Sequence, residues 1–496
     1  MQQNLPTTLG ALKKSGFALR SIKEEMRDNL IHALKNKIDL FEGIQGYELS
    51  VIPQLQTAIL SKHNIILLGL RGQAKTKIAR LMVRLLDEYI PIVEGSEIND
   101  NPLQPLSRFA KDRIEEKGDD TPIAWIHRDL RYTEKLATPD VSVADLIGDA
   151  DPIKAATLKL PYSDERVIHY GLIPRSNRGL FVINELPDLQ ARIQVSLFNI
   201  LQEGDIQIRG FKLRMPLDIQ FIFTANPEDY TNRGSIVTPL KDRIDSQILT
   251  HYPKTLEIAQ RVTMQEADIN PDVSSKIYCA PLLKRILERV AFEARESTFV
   301  DQKSGVSARL TISAYENLYS SAYRRMLMQH SDTEFVRITD LMSMIPNITG
   351  KVELVYEGEV EGVSNVAQNL LGKAIRSEFL MHFPDPNKLA KTKQRANGPF
   401  EKIVTWFNDN TLFLNPDLSF DEYRKRILNV SYLKEVVTNH HHDLSETDTL
   451  LMMEFVLHGL AEYNKLSKFV SDTDIKFSDL MNSMLKVPSS NEEEEI

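Results

Sequence analysis

Four short segments in a fixed order constrain this chain more than any bulk property. They are GLRGQAKT (69–76), LFVINE (180–185), FIFTAN (221–226) and LKDR (240–243). Each suits one part of a nucleotide-hydrolysing site: phosphate cradle, metal and water strand, polar sensor, trans-acting arginine. The first lies between the apolar run Asn64–Leu68 and a stretch rich in helix formers, Lys75–Tyr89. That strand, glycine-rich loop and helix order is what a phosphate-binding loop requires. Backbone N–H groups along Gly69, Gly72, Gln73 and Ala74 are expected to surround the phosphates of ATP, with Lys75 reaching the β- and γ-phosphates and Thr76 coordinating Mg²⁺. Ala74 stands where the usual pattern has glycine, which costs about 1 kcal/mol if the backbone is left-handed there.

LFVINE ends an apolar strand in two polar residues. Glu185 is suited to polarise an attacking water. Asn184 occupies the place where an Asp normally holds the Mg²⁺ hydration shell; it accepts a hydrogen bond from a metal-bound water but brings no charge. Mg²⁺ affinity and turnover are therefore open, and ATP binding is the firmer expectation. Asn226 ends the next strand, and C-terminal strand ends of a parallel sheet share one crevice, so Thr224 or Asn226 is expected to orient the water. Arg243 reads as an arginine finger for a neighbouring subunit, although Asp242–Arg243 alone is an ordinary surface pair. Arg309, in GVSARLTI, begins a helix and is expected to contact ATP within its own subunit.

Short apolar strands alternating with helices predict an α/β fold with a parallel sheet between helical layers. The strand candidates are Asn64–Leu68, IAWIH (123–127), LFVIN (180–184) and IQFIFT (219–224). Two interruptions stand out: an insert at 144–176 and a β-hairpin at 206–215 turning about Arg209-Gly210. The expected organisation is N-terminal helices (1–40), an αβα nucleotide-binding core (41–252), a small α-helical lid domain (253–345) and a mostly helical extension with an acidic tail (346–496). GKVELVYEGEVEG (350–362) reads as extended, KLAKTKQRANGP (388–399) as an exposed linker and 400–485 as helical.

At 496 residues the chain is long for one core. No apolar run reaches the ~18 residues of a membrane span. The N-terminus lacks an apolar signal region, and the single Cys279 excludes an internal disulfide and a CxxC zinc site. These features point to the cytoplasm. The formal net charge of -9 argues against a nucleic-acid coat protein.

With those residues laid out, the chain resembles AAA+ ATPases of the MoxR and magnesium-chelatase subunit I group, over roughly residues 38–345. The likeness is carried by GLIPRSNRGLFVINELPDL (171–189), LATPDVSVADLIGDADPIKAA (136–156), QEGDIQIRG (202–210), NPEDYTNRG (226–234) and PLKDRID (239–245). The resemblance implies that Lys75 and Thr76 are Walker A, Asn184 and Glu185 Walker B, Asn226 sensor 1, Arg243 the finger and Arg309 sensor 2. Ile44 and Gly46 would line the adenine pocket. It also implies a P-loop AAA+ core, ring homo-oligomers, usually hexamers, and a separate partner bearing a von Willebrand A domain. This chain has no DxSxS metal motif of its own.

The motifs leave several functions open: a chaperone-like motor that remodels a partner protein, the ATPase subunit of a magnesium chelatase, or a slow nucleotide-dependent switch or scaffold. An enhancer-binding transcription activator is disfavoured by the absence of a GAFTGA loop. The run His440-His441-His442-Asp443 reads as a surface turn, and Leu450, Met453, Phe455, Leu457 and Leu460 as core.

Overall fold

The protein is seen in a computed structural model that describes residues 5–480, apart from 163, 209–210, 212–213, 228–234, 390–397, 399 and 472–473. The expected hairpin turn at Arg209-Gly210, most of the NPEDYTNRG segment, most of the 388–399 linker and the acidic tail lie outside the described residues. The chain divides into two compact units, Met1–Tyr252 and Pro253–Ile496.

The first unit is built on five strands: β1 (Ile65–Leu68), β2 (Tyr132–Leu136), β3 (Gly179–Asn184), β4 (Ile219–Ala225) and β5 (Ser246–Leu249). They are all parallel, in the order β5-β1-β4-β3-β2. Every residue of β1, β3 and β4 is buried, as expected of inner strands covered on both faces. Alternate side chains go to opposite layers. Ile65, Leu67, Leu180, Val182 and Ile222 pack with the N-terminal helices and the helix Lys75–Leu81. Ile66, Phe181, Ile183, Phe221 and Phe223 pack on the other side with Leu146, Ile173, Ile193 and Leu240.

The second core strand differs from the sequence expectation. Ile123–His127 pairs antiparallel with Tyr89–Val93, outside the main sheet. Its apolar side chains serve a local contact, where Trp125 packs against Phe17 and donates to Pro6 O. The place beside β3 belongs to Tyr132–Leu136, a sheet-edge strand whose residues are only partly covered and which therefore tolerates Glu134 and Lys135. The expected helix after the phosphate loop is also shorter: Lys75–Leu81 passes into a 3₁₀ turn, Met82–Leu85, and Tyr89 already begins a strand. The two interruptions are present. The 144–176 region contains the pair Gly148–Ala150 and Ile168–Tyr170 around the helix Pro152–Leu158, and Asp205–Gln207 pairs with Arg214–Pro216.

The second unit is mainly helical. One core joins Leu283, Ile286 and Leu318 to Leu370, Phe379, Phe455 and Phe477. Glu378 receives Arg285 and Arg289 at 2.9 and 3.0 Å, and buried Glu454 accepts Thr339 N at 2.8 Å and Tyr423 Oη at 2.7 Å. The expected all-helical 400–485 region also holds a three-stranded antiparallel sheet of Leu412–Leu414, Ile475–Ser478 and Ser467–Val470. The expected extended stretch at 350–362 ends early, and Tyr356–Glu361 is helical. His440 is the last residue of the helix Leu433–His440, and the 450–460 stripe is buried. Among the described residues no helix is long and apolar enough to cross a membrane, and no group of three or more His, Cys, Asp or Glu side chains is arranged to hold a metal ion.

Candidate functional site

The C-terminal ends of β1, β4 and β3 lie side by side, with Leu68 paired to Ala225 and Ile183 to Phe223. The phosphate loop leaves β1 at Gly69, whose N–H donates to Ala225 O at 3.1 Å. A Cβ on Gly69 would stand 1.9 Å from Thr250 Oγ1 and 2.1 Å from Gln73 Oε1, so a side chain there would displace both. Gly72 has φ 72°, and Ala74 has φ 57° and ψ 16°. The left-handed backbone, only a condition in the sequence, is present at Ala74 with its strain.

Buried Gln73 accepts from Thr250 Oγ1 at 2.7 Å, and Tyr47 Oη lies 3.0 Å from Gln73 O and 2.7 Å from His251 O. Burial pushes the Tyr47 phenol up to about 12, so it stays a neutral donor. Lys75 is buried, and its ammonium donates to Gly69 O and, at 3.0 Å, to Leu70 O. Ile44 is buried with Ile78 and Met82. Gly46, at φ 81°, donates its N–H to Glu48 at 3.0 Å, and Lys77 ties the turn to the helix through Gly43 O at 3.1 Å.

Asn184 ends β3 in a network that crosses three strands. Its Nδ2 donates to Glu134 Oε1 at 2.5 Å, and its Oδ1 accepts from Thr224 Oγ1 at 3.1 Å. Thr224 in turn accepts from Glu185 N at 3.1 Å. The amide orientation follows from this chain: a carboxylate only accepts, so the NH₂ must face Glu134. Glu134 also receives Arg80 Nε at 3.0 Å, Arg80 Nη2 at 3.3 Å and Tyr132 Oη at 2.9 Å. Burial opposes its charge, but Arg80, Tyr132 and Asn184 outweigh burial and hold the carboxyl below its ordinary range. Glu185 is left-handed at φ 54°, partly exposed beyond the strand end. Asn226, buried, directly follows β4.

Lys75, Asn184, Glu185 and Asn226 thus belong to loops and strand ends on one edge of one sheet. Arg243 is held by Gln202 at 3.0 Å and Pro239 O at 2.8 Å, over the ring of Phe198. Arg309 is an exposed residue opening the helix Arg309–Met328 of the second unit. The site residues missed in the sequence are Glu134, Arg80 and Tyr132. Tyr132–Leu136 is not among the strand candidates of the sequence, and the available signal is Asn184, where an Asp is usual.

The residue types fit a magnesium nucleotide. Thr76, Asn184, Glu185 and Glu134 offer oxygen donors, and Mg²⁺ takes few protein oxygens beside phosphates and waters.

A family model described as the sigma-54 interaction domain matches residues 161–247, from the insert through β3, the hairpin and β4 to the Arg243 segment. The magnesium-chelatase 38 kDa subunit of Cereibacter sphaeroides is 25% identical over 226 residues, 44% of this chain and 60% of that protein. The magnesium-chelatase subunit ChlI homolog of Methanocaldococcus jannaschii is 26% identical over 243 residues, 48% of this chain and 62% of that protein. The chain thus spans about three fifths of the length of these curated relatives. Among solved structures, subunits of a magnesium-chelatase BchI and BchD complex align at 19% identity and TM-score 0.33, covering 64% of this chain and 98% of that one. NtrX from Brucella abortus in complex with ADP aligns at 12% identity and TM-score 0.35, covering 70% and 66%.

Proposed function

Because this chain belongs to the AAA+ proteins of the MoxR and magnesium-chelatase subunit I group, we propose that it binds and hydrolyses ATP with Mg²⁺ at the β1, β4 and β3 strand ends, and uses the cycle to remodel a partner protein. The observation that carries this reading is the convergence of Lys75, Asn184, Glu185 and Asn226 on one sheet edge.

In this reading the loop N–H groups and Lys75 hold the phosphates, and Thr76 and Asn184 hold the metal, Asn184 through water. Glu185 takes a proton from the attacking water and Asn226 orients it. Ile44 and Gly46 border the adenine, Arg309 is sensor 2 by family analogy, and Arg243 serves a neighbouring subunit in a ring, a hexamer by the same analogy. Mg²⁺, when bound, would supply positive charge that offsets the charge developing on the phosphates. The partner is a separate protein with a von Willebrand A domain, and the setting is the cytoplasm. The relatives named as magnesium-chelatase subunits favour a second reading, in which the same cycle drives metal insertion into a porphyrin. The neutral Asn184 favours a third, a slow switch or scaffold.

ATP turnover and assembly size, measured together on wild type and Glu185→Gln, test the proposal. Nucleotide-dependent rings with turnover lost only in the variant support it. Absence of nucleotide binding by the wild type overturns it. Turnover of porphyrin with partner subunits present selects the chelatase reading, and binding without turnover selects the switch.

A further inference from the structure

We propose that Glu134 supplies the negative charge that Asn184 lacks, so that the acidic function of the metal strand is held one strand away and reaches the cation through the Asn184 carboxamide. The inference rests on the magnesium-nucleotide reading above.

Three observations carry it. Leu136 pairs with Asn184 in register, and Glu134 Oε1 meets Asn184 Nδ2 at 2.5 Å. A carboxylate therefore touches the very side chain that stands in the metal position. Second, Thr76 and Arg80 are four residues apart on the helix Lys75–Leu81, hence on one face of it. Arg80 bonds Glu134, so Glu134 bridges this face and the end of β3. Third, Glu134 explains the Asn. An Asp at 184 would set two carboxylates in hydrogen-bond contact, where like charges resist joint ionisation. One negative charge is accommodated here, and this chain keeps it on β2. The side chain of Arg80 is 64% exposed, so the ion pair that balances Glu134 is open to water and weakly held. A divalent cation with its nucleotide competes with Arg80 for that charge.

The test is the ratio of nucleotide affinities with Mg²⁺ and with EDTA, read by fluorescent ATP and ADP titration on the full chain. Glu134→Gln preserves shape and removes the charge. It should lower the Mg²⁺-to-EDTA ratio about tenfold. Glu134→Gln with Asn184→Asp exchanges the two groups across the same contact and should restore the ratio. Arg80→Gln frees Glu134 and should keep or raise it. If Glu134 only orients its neighbours, Arg80→Gln lowers the ratio as Glu134→Gln does, and the exchange restores nothing; either result overturns the proposal. So does an unchanged ratio in Glu134→Gln. Thermal melting of each variant registers misfolding, and the Arg80→Gln arm decides the matter if Glu134→Gln does not fold. A wild type that binds no nucleotide removes the site reading itself, a result distinct from a wild type that binds with an unmoved ratio.

Discussion

Asn184 donates its carboxamide to Glu134 at 2.5 Å, from one core strand to the next. Seen in sequence, an Asp at 184 is simply one more charge for a metal. Beside Glu134 it becomes a like-charge contact. Asn184→Asp alone is expected to destabilise the first unit by about 1–3 kcal/mol, since the donor that satisfied Glu134 is lost. Calorimetric melting checks this, and the added Glu134→Gln change should recover most of the loss.

Lys75 places its ammonium against Gly69 O and Leu70 O, inside the loop that follows β1. Lys75→Ala is expected to weaken ATP binding by about 2 kcal/mol or more, through loss of a charge-assisted phosphate contact. A fluorescent-nucleotide titration with unchanged affinity would remove Lys75 from the site.

Glu185 and Arg243 are expected to act in different subunits. Glu185→Gln should bind ATP and lose turnover, because an amide takes no proton from water. Mixing Glu185→Gln with Arg243→Ala chains should regain part of the wild-type rate, as some interfaces then combine both intact residues. Mixed assemblies that stay inactive would make Arg243 structural.

The φ of 57° at Ala74 holds an L-residue in the left-handed region. Ala74→Gly relieves roughly 1–2 kcal/mol of that strain, offset by about 0.5–1 kcal/mol of glycine backbone entropy. The net expectation is stabilisation of up to about 1.5 kcal/mol with nucleotide affinity preserved, checked by melting and titration. A lower melting temperature would contradict it.

In the second unit, burial pushes Glu288 up to about 7, against the hydroxyls of Thr263 and Thr311, and its Oε1 is buried without a hydrogen-bond partner. The folded pKa is raised above the unfolded value near 4.5. Its favourable contribution is therefore complete below about pH 4.5 and is lost as pH rises through 7, at up to about 1.4 kcal/mol per pH unit. Glu288→Gln should flatten the melting-temperature profile between those values and gain most over the wild type at pH 8. An equally steep profile in the variant would assign the dependence elsewhere.

By itself the sequence determined what local chemistry can write. The loop from Gly69 to Thr76 is legible because glycines, a lysine and a hydroxyl at fixed spacing have few other uses, and β3 and β4 because inner parallel strands are mostly apolar. The cost of Ala74 was legible only as a condition, and the φ of 57° that meets it comes from the structure. Tertiary structure decided the rest. Edge position, which no local pattern encodes, made the half-polar Tyr132–Leu136 the second core strand in place of the more apolar Ile123–His127. The strand order then set Glu134 against Asn184, fifty residues apart in the chain. A charge missing from one strand is visible in sequence; the carboxylate that stands beside its place appears only when two strands pair.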